Sequence, residues 1–169
     1  LINITNLLKI VNWNNENNIK VYRMSSDMMP WMSEYKLSDL PDYQQISALL
    51  KAVGKLAMDN DQRLSFHPGQ FCVLASPNET VVLNAINELD KTAQILDLMG
   101  LPKSAAAKIN IHVGGAYGDK PSALDRFCKN FKRLQPSAQA RLTVENDDKA
   151  SMYSVKDLYE GVHKVVGCP

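Results

Sequence analysis

The sequence predicts an α/β fold of parallel strands joined by crossover helices, read as a partial (β/α)8 TIM barrel of about four to five βα units. Three observations carry this. Short β-rich runs alternate with longer amphipathic stretches, and strands separated by helices form parallel sheets. No GxGxxG and no GxxxxGK[ST] occurs, which removes support from the nucleotide-binding versions of such folds. Four strands are visible in 169 residues, whereas a whole barrel takes about 250 residues and eight strands. An open sheet of four or five strands is the structural alternative.

The elements follow in order. Residues 3 to about 14 form a helix with Leu7, Leu8 and Val11 at helical spacing. Residues 19–25 are the first β-rich run. A second helix, 42 to about 58, carries Ile46, Leu49, Leu50, Val53 and Leu56, and 63–67 is the second run. Ser76-Pro77-Asn78-Glu79 has the form of a capping box with Pro at the first helical position. Val82, Ile86, Leu89, Ala93 and Leu96 continue that helix until Gly100 and Pro102 close it. Residues 108–113 are the third run, and Pro121 opens a helix with Leu124, Phe127, Phe131 and Leu134 on one face. Residues 141–145 are the fourth run. Ser154-Val155-Lys156-Asp157 opens the last helix, which carries Leu158, Val162 and Val165.

No linker or low-complexity block divides the chain, so residues 1–169 read as one domain. The barrel's inner face is expected to be apolar, built from Val21, Leu64, Phe66, Ile109, Ile111, Leu142 and Val144. An uncovered apolar face and open strand edges predict self-association as a two-fold dimer.

Composition excludes several classes. With 45% hydrophobic and 22% charged residues, global disorder is out. No apolar run approaches the roughly 20 residues of a membrane-spanning helix. Lys+Arg number 19 and Asp+Glu 18, so binding to nucleic acid through bulk charge is out, although a local basic stripe is not. Cys72, Cys128 and Cys168 are widely spaced with no CxxC, which indicates neither a zinc ribbon nor a disulfide framework and suits a reducing compartment. Residues 1–13 lack the basic start and cleavage signature of a signal peptide, and a first residue other than Met suggests an opening within a longer reading frame.

In barrels the βα loops converge at the carboxyl ends of the strands, so chemistry is sought there. His67 ends the second run, His112 the third and Glu145 the fourth. Two imidazoles and a carboxylate suit a divalent transition metal such as Zn, Mn or Fe. One strand-end His is more often a hydrogen-bonded core residue; three successive strand ends shift the balance to a site. Gly69, Gly114 and Gly115 after the histidines are read as room for a ligand. His163, in the last helix, is read as solvent-facing or capping.

Other residues carry weaker signals. Asp147 and Asp148 read as a solvated loop pair before they read as ligands. Arg23 suits a phosphate or a strand-end ion pair equally, and Lys120, just before a helix, suits a phosphate. Met28, Met29, Trp31 and Met32 read as a packed apolar loop. Gln70 and Phe71 put an amide beside a ring at the mouth of the site. That pairing suits unstacking and replacing bases, with a core position for Phe71 equally weighted.

RLSFHPGQF (63–71), INIHVGGAYGDK (109–120) and LTVENDD (142–148), preceded by VYRMSSDMMP (21–30), resemble in series the ultraviolet-damage endonuclease family. The resemblance runs through essentially the whole chain. It implies a barrel of the xylose-isomerase-like type, related to endonuclease IV. It implies a DNA-repair enzyme that incises the phosphodiester bond immediately 5′ of ultraviolet-induced and other base lesions. By position, His67 and His112 match the family's ligand histidines, and Glu145 matches a carboxylate that bridges two of up to three divalent ions; all three are expected to be catalytic. Manganese is expected, with zinc, cobalt or magnesium as alternatives. Gln70 and Phe71 match the pair that probes the duplex, where many relatives carry Tyr in place of Phe71. With Arg23 and Lys120 they make up the expected DNA contacts.

The implied partner is damaged double-stranded DNA, with no obligate protein partner. The implied location is intracellular: cytoplasmic in a bacterium, nuclear or mitochondrial in a eukaryote. The family's first strand is expected before Leu1. Its last strands, with further ligands and a modified lysine, are expected after Pro169, so the 169-residue piece alone is expected to be inactive. A metal-dependent sugar isomerase or epimerase is the enzyme alternative, and a half-barrel that binds a partner through its edges is the non-enzyme one.

Overall fold

The computed structural model describes residues 1–149 and 151–169. Among them, β1 (Val21–Met24), β2 (Arg63–Phe66), β3 (Ile109–Ile111) and β4 (Leu142–Val144) form one sheet in the order β1-β2-β3-β4, with every pair parallel. Strands in sequence order with a crossover helix between each pair are the winding of a (β/α)8 barrel. Each strand is shorter than its β-rich run, and His67, His112 and Glu145 lie just past the ends of β2, β3 and β4, in the loops. Val144 N–H donates to Pro169 O at 2.8 Å, so that carbonyl lies where a further strand would continue the ladder.

The helices are α1 (Ile2–Glu16), α2 (Tyr43–Asp59), α3 (Glu79–Leu98), α4 (Lys120–Phe131) and α5 (Pro136–Gln139). The last expected helix is composite: α6 (Val155–Leu158), a π turn (Tyr159–His163) and α7 (Lys164–Val166). Its predicted start holds, since Ser154 Oγ accepts from Asp157 N–H at 3.2 Å and Asp157 Oδ2 accepts from Ser154 N–H at 2.9 Å. The π turn falls where α4 presses close: a Cβ on Gly161 would lie 2.6 Å from Leu124 Cδ1.

Two helix starts differ from expectation. α3 is capped by Asn78, whose Oδ1 accepts from Thr80 N–H at 2.9 Å, while Ser76 Oγ accepts from Asn78 N–H in the turn before it. Pro77 therefore lies outside the helix. α4 begins at Lys120 behind the Asp119 cap and ends at Phe131, so Leu134 packs from the following turn.

The inner-face expectation is overturned by strand alternation. Leu64, Phe66, Ile109, Ile111 and Leu142 are at most 3% exposed and join the core beneath the helices with Val53, Leu89, Leu96 and Phe127. Side chains alternate across a strand, so the opposite face carries Arg23, Arg63, Ser65, Asn110 and Thr143. It is polar. Of the residues expected on it, only Val21 shares its register, opposite Arg63, and Val21 is 64% exposed. The face opens onto a groove of about 660 Å3 in which Arg63, Asn110 and Glu145 meet apolar Val155, Leu158 and Pro169 from beyond the strands.

Candidate metal centre

The same alternation builds the site. Positions 65 and 67, 110 and 112, and 143 and 145 share the polar face, so the residue just past each of three adjacent strands points to one spot. His67 Nε2 lies 2.7 Å from Glu145 Oε1 and His112 Nε2 lies 3.0 Å from the same oxygen. One ligand atom from each residue lies within 4.8 Å of the others, and the two rings meet edge to face at 5.8 Å.

The hydrogen-bond partners fix what these atoms offer. His67 Nδ1 is 3.0 Å from Pro68 O, a group that only accepts, so Nδ1 carries the proton and Nε2 its lone pair. His112 Nδ1 is buried and makes no hydrogen bond; Asp147 Oδ1 lies 3.5 Å away, so a proton on that nitrogen would face the carboxylate. Two lone pairs and an anionic oxygen then converge with no donor among them. Such a set is satisfied by protons or by a cation, and a His backed by a carboxylate or carbonyl is the usual second layer of a metal ligand. The residues therefore fit a divalent ion.

Glu145 is held by more than the histidines. Its Oε2 accepts from the Asn110 side-chain amide, and Asn110 Oδ1 accepts from Thr143 Oγ1 at 2.6 Å. This relay along the polar face leaves Oε1 to the centre. Burial pushes the Glu145 carboxyl up. With protons on the two Nε2 atoms in place of a cation, the His67 hydrogen bond, the charges of His67 and His112 and the Asn110 hydrogen bond outweigh that and hold it below its ordinary value. Asn110 and Thr143 were not singled out from the sequence, although a polar residue between Ile109 and Ile111, in step with His112, marks the face. Asp147, expected as a solvated loop residue, is half-buried with its carboxylate 3.5 Å from His112 Nδ1, and Asp148 is exposed.

Gln70 and Phe71 lie in the loop after His67. Phe71 is 80% exposed, so it is not a core residue, and Cys72 behind it is buried. Gln70 borders a cavity of about 240 Å3 shared with His67, His112 and Asp147. Arg23 is exposed on β1 beside Ser65. Lys120 is tied within the chain: its ammonium donates to Met152 O, lies 3.8 Å from Asp157 and stands 5.8 Å above the Tyr153 ring. The apolar loop divides, with Met28, Met29 and Met32 buried and Trp31 81% exposed, so packing accounts for the methionines alone. Gly114 serves the protein's own packing, since at φ +102° a Cβ would lie 1.8 Å from Val73 Cγ1. Room for a ligand does not explain it, although the space beside Gly69 is open. His163 stacks on Tyr159 at 5.4 Å, and its Nδ1 lies 3.2 Å from Cys168 O, a capping role.

Comparison with known proteins adds to this geometry. The profile of the UV-endonuclease UvdE family matches residues 1–165. The UV-damage endonuclease of Schizosaccharomyces pombe is 42% identical over 158 residues, covering 92% of this chain and 26% of that protein. The UV DNA damage endonuclease of Clostridium perfringens is 31% identical over 173 residues, covering 96% of this chain and 41% of that protein. The crystal structure of SacUVDE superposes with a TM-score of 0.87 at 37% identity, covering 98% of this chain and 55% of that one. The chain thus spans between 26% and 55% of the length of these relatives.

Proposed function

Because the chain belongs to the UV-endonuclease UvdE family, we propose that the protein is a DNA-repair endonuclease. It incises the phosphodiester bond immediately 5′ of ultraviolet-induced and other base lesions, leaving a 3′-hydroxyl and a 5′-phosphate. The observation that carries this is the convergence of His67, His112 and Glu145 on one spot at the carboxyl edge of the sheet. These three hold divalent metal, manganese first, in a cluster of up to three ions. When bound, such ions supply the positive charge that hydrolysis of a phosphodiester needs at its oxygens.

The chain's own residues orient and select. Asn110 and Thr143 fix Glu145, and Asp147 backs His112. Phe71 stands in solvent beside Gln70, where a ring and an amide enter between weakened base pairs; lesions lower the cost of unstacking, which gives selectivity. Arg23 contacts phosphate from β1, whereas Lys120 reaches the backbone only by leaving Met152 and Asp157. An exposed ring suits a stacked base better than a sugar enclosed in a barrel, which favours the nuclease over an isomerase. The partner is damaged double-stranded DNA and the setting intracellular. Among the described residues, no helix is long and apolar enough to cross a membrane.

The test is a full-length gene product with manganese and a duplex bearing one pyrimidine dimer, resolved on a denaturing gel. The expected product is cut immediately 5′ of the dimer, and Glu145→Gln removes it with the fold intact. No product, or equal cutting of undamaged duplex, would overturn the reading.

A further inference from the structure

We propose that Trp31 is a second aromatic contact to the damaged duplex, working from the loop next to that of Gln70 and Phe71; this rests on the endonuclease reading. Trp31 and Phe71 are the two most exposed large apolar side chains among the described residues, at 81% and 80%. Their loops follow β1 and β2, which are adjacent and in register from Val21 beside Arg63 to Met24 beside Phe66. Both loops therefore leave the sheet at the edge that carries His67.

Trp31 does not lie in solvent for want of a place to pack. Met28, Met29 and Met32 on either side of it are buried. Lys91 Nζ donates to Met32 O and Tyr35 O at 2.7 Å each, the Tyr35 hydroxyl donates to Pro30 O at 3.2 Å, and Asn3 Nδ2 donates to Met28 O at 3.1 Å. The loop is pinned on both sides, yet its bulkiest apolar side chain is turned out. Trp31 also holds φ 57° and ψ 25°, the left-handed region that a large side chain rarely adopts. Strain spent on exposing a ring is a feature of ligand-contacting positions. The ligand that fits is the one Phe71 serves. Successive bases stack on successive aromatic rings whatever their sequence, and a duplex opened at a lesion offers more than one unstacked face.

The experiment uses the full-length protein and a labelled duplex with or without a pyrimidine dimer, read by fluorescence anisotropy. Trp31→Ala should weaken binding of the damaged duplex roughly tenfold, the scale of one stacking contact, and Trp31→Phe should restore most of it. Trp31→Gly should weaken binding equally while raising the thermal midpoint, because glycine relieves the left-handed strain; a merely structural tryptophan would lower both. The acrylamide quenching that disappears between the wild type and Trp31→Phe reports Trp31 alone, whatever other tryptophans the full-length protein holds, and bound duplex should shield that component. If Phe71→Ala weakens binding but Trp31→Ala does not, and acrylamide reaches Trp31 equally in the complex, this inference fails and the endonuclease reading stands. If the wild-type protein shows no preference for the damaged duplex, both fail.

Discussion

Asn110 shows how one amide can set the direction of a ligand. Its donor end holds Glu145 Oε2 and its acceptor end takes the Thr143 hydroxyl, so the carboxylate presents Oε1 to both histidines. Asn110→Ala should lower divalent-ion affinity about 10–100-fold by isothermal titration, the usual effect of losing an outer partner. Thr143→Val should cost less, since the amide keeps its bond to Glu145. The thiols give a second residue-level test. Burial, then the Cys128 charge, pushes Cys168 up to about 12; burial, then Glu88, pushes Cys72 well up; burial, then Asp125, raises Cys128. A raised pKa removes thiolate at every pH below it, so iodoacetamide at pH 8 should leave the native chain unmodified and label all three cysteines in denaturant. Rapid native labelling, read by mass spectrometry, would contradict the buried placement. His67, His112 and Glu145 were legible because each ends a β-rich run. Asn110 was not, because its message lies in which face of the strand it shares with His112.

Helices were legible where a side chain closes the first turn and ambiguous where several could. Ser154 and Asp157 form their capping box as spelled. At α3 both Ser76 and Asn78 are able caps, and Asn78 wins by reaching Thr80 and Val81 N–H. No local pattern announced the seam between α2 and the end of α3, which depends on Gly54. A Cβ there would lie 1.9 Å from Met99 O, and that oxygen belongs to backbone that cannot swing aside. Gly54→Ala improves helix propensity, yet the clash should win and lower unfolding stability by about 1–3 kcal/mol in urea denaturation. An unchanged midpoint would mean that the two helices separate at little cost.

Across the whole chain, strand alternation decides how it meets its surroundings. The polar strand residues Arg63, Asn110 and Thr143 weaken the apolar drive for pairing expected from the sequence. β1 is a four-residue edge with exposed Arg23, and the β4 edge already meets Pro169 O. Short, charged edges resist pairing, so the 169-residue polypeptide should be monomeric at micromolar concentration by light scattering; a two-fold dimer would show that β1 pairs after all. The same face links metal to folding. His67, His112 and Glu145 follow three different strands, so an ion held among them ties β2, β3 and β4 together and is lost on unfolding. Binding only the folded state at a hundred times Kd adds about 2.7 kcal/mol, which in a chain of this size raises the thermal midpoint by about 5–11 °C. Glu145→Gln should abolish that rise and also lower the metal-free midpoint modestly, because a carboxyl held below its ordinary value by His67, His112 and Asn110 stabilises the fold where it is ionised. His67→Ala should abolish it too. A rise with manganese that persists in the double variant would place the ion elsewhere, and the three strand ends would then be a hydrogen-bonded cluster only.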